Sequence, residues 1–328
     1  MLYLHGIGHF HPENVITNRF LEELEIGTTE SWIMERVGIR ERRTVLPLDY
    51  IRETKNAEPR LAHARSLYSN AQMGARAARM AMERAGVKPS DIGLVISGSS
   101  IPSRSTPAEA SAVAAELGIE APCFDLSSAC STFGMQLNML RRMAAEQNPP
   151  FILTVQPEGI TRCIDFSDRS SSVLFGDACT ATVVSHQAKA RVSLVTSNCG
   201  SNPAAHEKVG IPFGGHFVQD GRAVQGFAIR KMTELLQELL ASMPGGGQSF
   251  HFIGHQANLG ALKTVCERAG IPDAQHWHNV EEFGNTGASG APAVLSAHWE
   301  ELRPGDRLAV CVVGAGLTWA NLLFAVEG

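Results

Sequence analysis

The sequence predicts a mixed α/β fold built from two similar halves, and three observations carry that reading. Short apolar runs alternate with longer helical patterns along the whole chain. The same helix-then-strand order recurs at similar spacing in both halves, and a glycine-punctuated loop sits near the end of each. With 328 residues, 44% of them hydrophobic and 19% charged, the chain has globular composition and enough length for one large core or two fused halves. The halves are expected at 1–185 and 186–328, with helices covering both sheets.

In the first half, AQMGARAARMAMERAG at 71–86 has helical spacing and a C-terminal stop at Gly86. A buried strand is expected at 92–97, a helix at 108–117, a short strand at 124–126, a helix at 131–146, and strands at 151–156 and 173–185. The second half opens with an amphipathic helix at 226–243, closed by Gly245–Gly247. A strand at 250–253, helices at 257–269 and 288–302, and strands at 308–313 and 320–326 follow. The stretch 44–66 is polar, holds two prolines and shows no clean period, so it reads as a surface excursion: a lid over a pocket or an inert loop.

A net charge of −5 and the lack of a long basic stripe give no reason to expect a nucleic-acid partner. No apolar run approaches the roughly 20 residues of a membrane span. The opening MLYLHGIGHF has neither a basic start nor a small-residue cleavage site, so secretion is not expected. Seven cysteines, at 123, 130, 163, 179, 199, 266 and 311, are scattered and form no CxxC pair. Neither a disulfide framework nor a metal site is expected, and a reducing cytoplasm suits the chain.

Three segments carry chemistry. In DLSSACSTFG, 125–134, a strand enters a tight turn of small residues and a helix begins at or just after Cys130. A thiol there meets unpaired N–H groups and the positive end of a helix dipole, which would lower its pKa. Small neighbours leave room for a thioester. Taken locally, the pattern fits a nucleophile or a buried structural cysteine. HQAN, 255–258, places His255 at a strand-to-helix junction, where it can hydrogen-bond a carbonyl or move a proton. GNTGASGAP, 284–292, is a glycine-rich turn before a helix, with Asn285 able to donate from its side chain.

These motifs, in this order, resemble the β-ketoacyl-acyl carrier protein synthase III family of the thiolase superfamily. The similarity runs from VGIRERR at 37–43 through DRSSSVLFGDA at 168–178, HQAN and GNTGASG to GAGLTWAN at 314–321. The Cys130–His255 gap of 125 residues and the His255–Asn285 gap of 30 match the family layout. The resemblance implies two βαβαβ halves stacked as five layers (αβαβα), in a homodimer. It implies that Cys130 takes an acyl group from a coenzyme A or acyl carrier protein thioester. A malonyl thioester then loses CO₂ and condenses with it to a 3-oxoacyl product, without a cofactor. His255 and Asn285 would hydrogen-bond the malonyl carbonyl, and the N–H groups of Cys130 and Ala315 would form the oxyanion hole. Trp32 would stack on the adenine of coenzyme A with Arg162 on its other face, Arg36 would lie near the nucleotide, and Asn258 would contact substrate.

The chain departs from the family pattern at three points. Val313 stands where members carry a phenylalanine beside the thiol, HQAN is followed by Leu259–Gly260 rather than Leu-Arg, with Lys263 one turn on, and 44–66 is longer than in the simplest members. Thr106, before Pro107, occupies the position that reaches into the partner's acyl channel, and its small side chain leaves room for a longer or branched chain. The alternative reading is an acyltransferase that passes the acyl group from Cys130 to an alcohol, amine or carrier. A non-catalytic partner subunit is the third.

Overall fold

The computed structural model describes residues 1–243 and 249–328; the expected glycine stop at 245–247 lies outside the described residues. Nine strands form the main sheet: β1 (Leu2–Phe10), β2 (Ile92–Ser97), β3 (Cys123–Asp125), β4 (Phe151–Glu158), β5 (Ala178–Ser185), β6 (Val192–Ser201), β7 (Phe250–Gly254), β8 (Arg307–Gly314) and β9 (Thr318–Val326). Their order is β7-β8-β9-β6-β1-β5-β4-β2-β3. The helices that bear on the site are α1 (Glu30–Val37), α2 (Leu48–Thr54), α3 (Pro59–Arg65), α4 (Asn70–Ala85), α5 (Glu109–Leu117), α6 (Thr132–Arg142), α7 (Gly221–Ser242), α8 (Leu259–Ala269) and α9 (Gly290–Ala297).

Alternation along the strands sets the layers, because neighbouring side chains point to opposite faces. In β8, Leu308, Val310 and Val312 join one core, whereas Ala309, Cys311 and Val313 join another on the opposite face. In β2, Leu94 and Ile96 face the first core, and Ile92 and Val95 face a third beneath α4 and α5. The shared core takes Phe133, Leu137 and Leu140 from α6 and Val294 and Leu295 from α9. The order is therefore α4/α5, the first half-sheet, α6/α9, the second half-sheet and α7/α8, which is the five-layer arrangement the resemblance implies. The half-sheets join where β1 pairs with β6 over Leu2↔Leu194 to Leu4↔Val192, so one ladder runs through all nine strands.

The two halves share one element order. β1–α4–β2–α5–β3–α6–β4–β5 is matched by β6–α7–β7–α8–α9–β8–β9, with a single parallel bridge, Phe252↔His276, where the first half has β3. The 185/186 boundary falls in the connection between β5 and β6. Helices α6 and α9 hold equivalent places, with Cys130 just ahead of one and Asn285 just ahead of the other.

Helix α4 starts with a capping box, Ser69 with Gln72, and ends at Gly86 in the left-handed region (φ 67°). The expected strand at 173–185 is confined to Ala178–Ser185, behind a short helix at Arg169–Ser172. The helix expected over 288–302 is Gly290–Ala297 with a 3₁₀ turn on each side. The 44–66 segment is neither lid nor irregular loop. It forms α2 and α3 and buries Ile51, Asn56 and Ala62 completely. The Asn56 side chain donates to the carbonyls of Arg162 and Ile164, both at 2.9 Å, so the segment is fastened to the body.

Candidate active site

A cavity of about 770 Å³ is lined by Cys130, His255 and Asn285 together. Cys130 is the one cysteine of the seven that lines it. The turn before α6 holds it there. Ala129 sits at φ 46°, a conformation a β-carbon resists, and hydrogen bonds fix it on both sides. The Thr132 hydroxyl donates to the Ala129 carbonyl at 2.6 Å and accepts from the Ser128 N–H at 2.8 Å. The Ser131 hydroxyl donates to the Ser128 carbonyl at 2.8 Å. Gly314 packs against this turn; a β-carbon there would lie 3.0 Å from the Cys130 nitrogen, so only glycine lets the Gly314–Ala315 backbone approach the thiol.

His255 follows β7 and is 6% exposed. Its Nδ1 has no hydrogen-bond partner among the described residues, and burial pulls its pKa down to about 4, so the imidazole is neutral at neutral pH. Asn285 precedes α9. Its backbone N–H donates to the Leu174 carbonyl at 2.8 Å, and its side-chain oxygen accepts from the Gly287 N–H at 3.0 Å, leaving the side-chain NH₂ to donate into the cavity. Ala315 and Val313 also line the cavity. Asn258 does too, but its side-chain oxygen is spent as the N-cap of α8, accepting from the Ala261 N–H at 2.7 Å.

Trp32 and the exposed Arg36, both on α1, line the cavity, and Arg162 does not. Arg162 is 2% exposed and donates to the Ser66 hydroxyl (2.9 Å), the Asn70 side chain (2.5 Å) and the Tyr68 carbonyl (2.6 Å). It clasps α3 to α4. The cation beside Trp32 is Arg169, its guanidinium 5.0 Å from the ring centroid. Arg169 lies within the DRSSSVLFGDA motif, whereas Arg162 lies outside it. Thr106 is exposed and does not line the cavity.

Glu158, at the end of β4, was not singled out by the sequence. It is fully buried and accepts from the Ser100 N–H (3.1 Å to each oxygen), the Ser100 hydroxyl (3.0 Å) and the Ala288 N–H (3.3 Å). It thereby ties the Ser99–Ser100 wall to the loop that carries Asn285. Gly287, at φ 58°, lies so close that a β-carbon would come within 2.9 Å of the Glu158 carboxyl carbon. Burial pushes this carboxyl up to about 7, against the pull of its hydrogen bonds. The same burial, with the Glu158 charge added, pushes the Cys130 thiol up to about 12. Desolvation and a nearby carboxylate thus act against the lowering expected at the helix terminus.

Glu158→Gln tests this coupling. A carboxyl raised from 4.5 to about 7 contributes stability that is fully present below pH 4.5 and is lost as pH rises to 7, because only the unfolded chain releases the proton in that window. The variant lacks this slope. Between pH 5 and 7.5, urea denaturation should show it gaining about 2–3 kcal/mol on the wild type, at about 1.4 kcal/mol per pH unit. A difference that stays constant with pH would mean Glu158 does not titrate in that window.

A strained turn presenting a thiol, with His and Asn donors converging from a second half-sheet, defines a condensing enzyme of the thiolase fold. Family models described as 3-oxoacyl-[acyl-carrier-protein] synthase III match residues 124–203, and its C-terminal model matches 249–326. The chain is 31% identical to a β-ketoacyl-[acyl-carrier-protein] synthase III of Sulfurovum, over 98% of this chain and 95% of that protein. It is 32% identical to a 3-oxopimeloyl-[acyl-carrier-protein] synthase of Brucella abortus, over 98% of each. Among solved structures, the 3-oxoacyl-[acyl-carrier-protein] synthase III of Aquifex aeolicus superposes with a TM-score of 0.87 at 27% identity, over 99% of this chain and 100% of that one. The chain belongs to the β-ketoacyl-acyl carrier protein synthase III family, a family of acyltransferase-type condensing enzymes.

Proposed function

We propose that the protein loads an acyl group on Cys130 and condenses it with a malonyl thioester carried by acyl carrier protein, in fatty acid or polyketide-type biosynthesis. The observation that carries this reading is one cavity lined by Cys130, His255, Asn285 and the Gly314–Ala315 backbone, with cations at its mouth. In loading, Sγ attacks the thioester carbon, the carbon–sulfur bond of the donor breaks, and the thiol proton leaves on the departing coenzyme A or carrier thiol. The N–H groups of Cys130 and Ala315 hold the oxyanion. In the second half-reaction the carboxylate of the malonyl group leaves as CO₂. Its electron pair becomes the enolate, whose oxygen accepts from neutral His255 and the Asn285 NH₂. The enolate carbon then attacks the acyl-enzyme, and Cys130 departs.

Trp32 stacked with Arg169, and Arg36 beside them, suit the adenine and phosphates of coenzyme A. These cations, with exposed Lys263 on α8, also suit an acidic carrier protein. β3 is an open sheet edge with Phe124 42% exposed on it, which supports pairing with a second copy. A cytoplasmic, reduced setting suits seven free cysteines.

Intact-mass measurement tests the function: incubation with a panel of acyl-CoA donors should add one acyl mass, and malonyl carrier protein should then discharge it as a 3-oxoacyl product. Acylation discharged only by an alcohol or amine would favour simple transfer. No acylation by any donor, carrier-bound donors included, would refute both.

A further inference from the structure

The VGIRERR segment at 37–43 packs against the loop that carries Asn285. The Arg40 N–H donates to the Glu281 carbonyl at 2.7 Å. Arg42 is fully buried, and its guanidinium has no carboxylate partner among the described residues. Its three hydrogen bonds go to neutral acceptors: the Val173 carbonyl, from Nε at 3.1 Å and from Nη2, and the Asn18 side-chain oxygen, from Nη1 at 2.6 Å. Burying a cation on neutral acceptors alone is costly. Asn18, also buried, is held in turn by donating to the Ile39 carbonyl at 2.9 Å. Val173 opens the stretch from which Asn285 hangs. The Leu174 carbonyl accepts from the Asn285 N–H at 2.8 Å, and the Gly176 N–H donates to the Asn285 carbonyl at 3.1 Å. The Arg42 stem lies against both strands of this bridge: a β-carbon on Gly284 would come within 2.9 Å of Arg42 Cγ, and one on Gly176 within 3.1 Å of Arg42 Cβ. At its other end the same loop gives the Ala288 N–H to Glu158. The Asn285 loop is thus tied at one end beside a buried cation and at the other to a buried carboxyl.

We infer that Arg42 is a positioning residue for Asn285: by holding the Val173 carbonyl it fixes the 174–176 stretch, and through that stretch the aim of the Asn285 NH₂ at the enolate oxygen. The inference rests on the proposed condensation, in which Asn285 holds that oxygen. The Asn285 side chain has little slack of its own, because its oxygen accepts from the Gly287 N–H, so its NH₂ moves as the backbone moves. A misplacement of about 1 Å at a reacting group can cost about 10²-fold in rate. Arg42 does not line the cavity, so loading of Cys130 draws nothing from it directly. A lysine at 42 would keep the charge, but its single nitrogen cannot serve Val173 and Asn18 in the fixed fork of a guanidinium.

The test measures loading by intact mass and decarboxylation by CO₂ released from a malonyl thioester, for wild type, Arg42→Met, Arg42→Lys and Asn18→Ala, each alone and with Asn285→Ala. Arg42→Met should lower decarboxylation roughly 10- to 100-fold and loading less than about threefold. Arg42→Lys should recover part of that loss. With Asn285→Ala already present, Arg42→Met should cost less than about threefold more, because the group it positions is gone. Asn18→Ala frees one nitrogen of the fork without removing the cation, so a smaller loss with the same selectivity carries the test if Arg42→Met does not fold. Equal losses in loading and decarboxylation would make Arg42 a support of the fold alone and overturn the inference. So would a full further loss in the Asn285→Ala background, since Arg42 would then act through something else. If wild type loads but releases no CO₂, or if Asn285→Ala alone leaves decarboxylation intact, the proposed reaction falls and the inference with it.

Discussion

Cys130→Ala is expected to form no acyl-enzyme, with loading down by about 10³-fold or more. The cavity holds four serine hydroxyls, of Ser99, Ser100, Ser127 and Ser170, each engaged in a hydrogen bond; Ser170 donates to Asp168 at 2.7 Å. Ser100 donates its proton to Glu158 at 3.0 Å, and Ser127 donates to the Ser99 carbonyl at 3.0 Å. Ser99 accepts from the Ile101 N–H at 3.0 Å. None sits under the Gly314–Ala315 backbone as Cys130 does. Cys123→Ala and Cys163→Ala should still acylate, because neither sulfur lines the cavity and Cys163 is 3% exposed. Intact mass after incubation with an acyl-CoA decides it: a covalent adduct retained in Cys130→Ala would remove Cys130 from its role.

How much of this was legible in the sequence depends on how local each cause is. β2 was read to the residue and α4 to within one, because a short apolar run, helical spacing and a C-terminal glycine are short-range signals. The site motifs were legible for the same reason, since each sits in a glycine- or small-residue turn at a strand-to-helix junction. β1 and β6 were not read as strands. Their pairing with each other and with β5 and β9 is long-range, and β1 carries an irregularity between Leu4 and Gly6 that breaks its alternation. The 44–66 segment looked unstructured because its helices are short and mostly polar, and Asn56 rather than an apolar stripe anchors them. Arg162 and Arg169 could not be told apart by type; burial and partners separate them. Glu158 was invisible, since its importance lies in a desolvation that tertiary packing creates. The burial that acts on the thiol belongs to the same packing, which a helix-dipole argument alone does not see.

The second large effect separates the half-reactions. In the proposed reaction His255→Ala and Asn285→Ala each remove a donor from the oxygen that gains charge as CO₂ leaves, so decarboxylation of a malonyl thioester should fall about 10²–10³-fold in each. In that proposal loading develops its charge at a different oxygen, the one under the Cys130 and Ala315 N–H groups, and should fall less than about tenfold. The double variant should lose much less than the product of the two, because one remaining donor cannot hold the enolate in place. His255 has a pKa of about 4, so it is a neutral donor throughout pH 6–8 and imposes no titration on decarboxylation there. An inflection near pH 7 that vanishes in Glu158→Gln would belong to the buried carboxyl instead. Radiolabelled malonyl thioester gives the decarboxylation rate as released CO₂, and intact mass gives loading on the same samples. Equal losses in both steps would mean that His255 and Asn285 shape the cavity rather than the enolate.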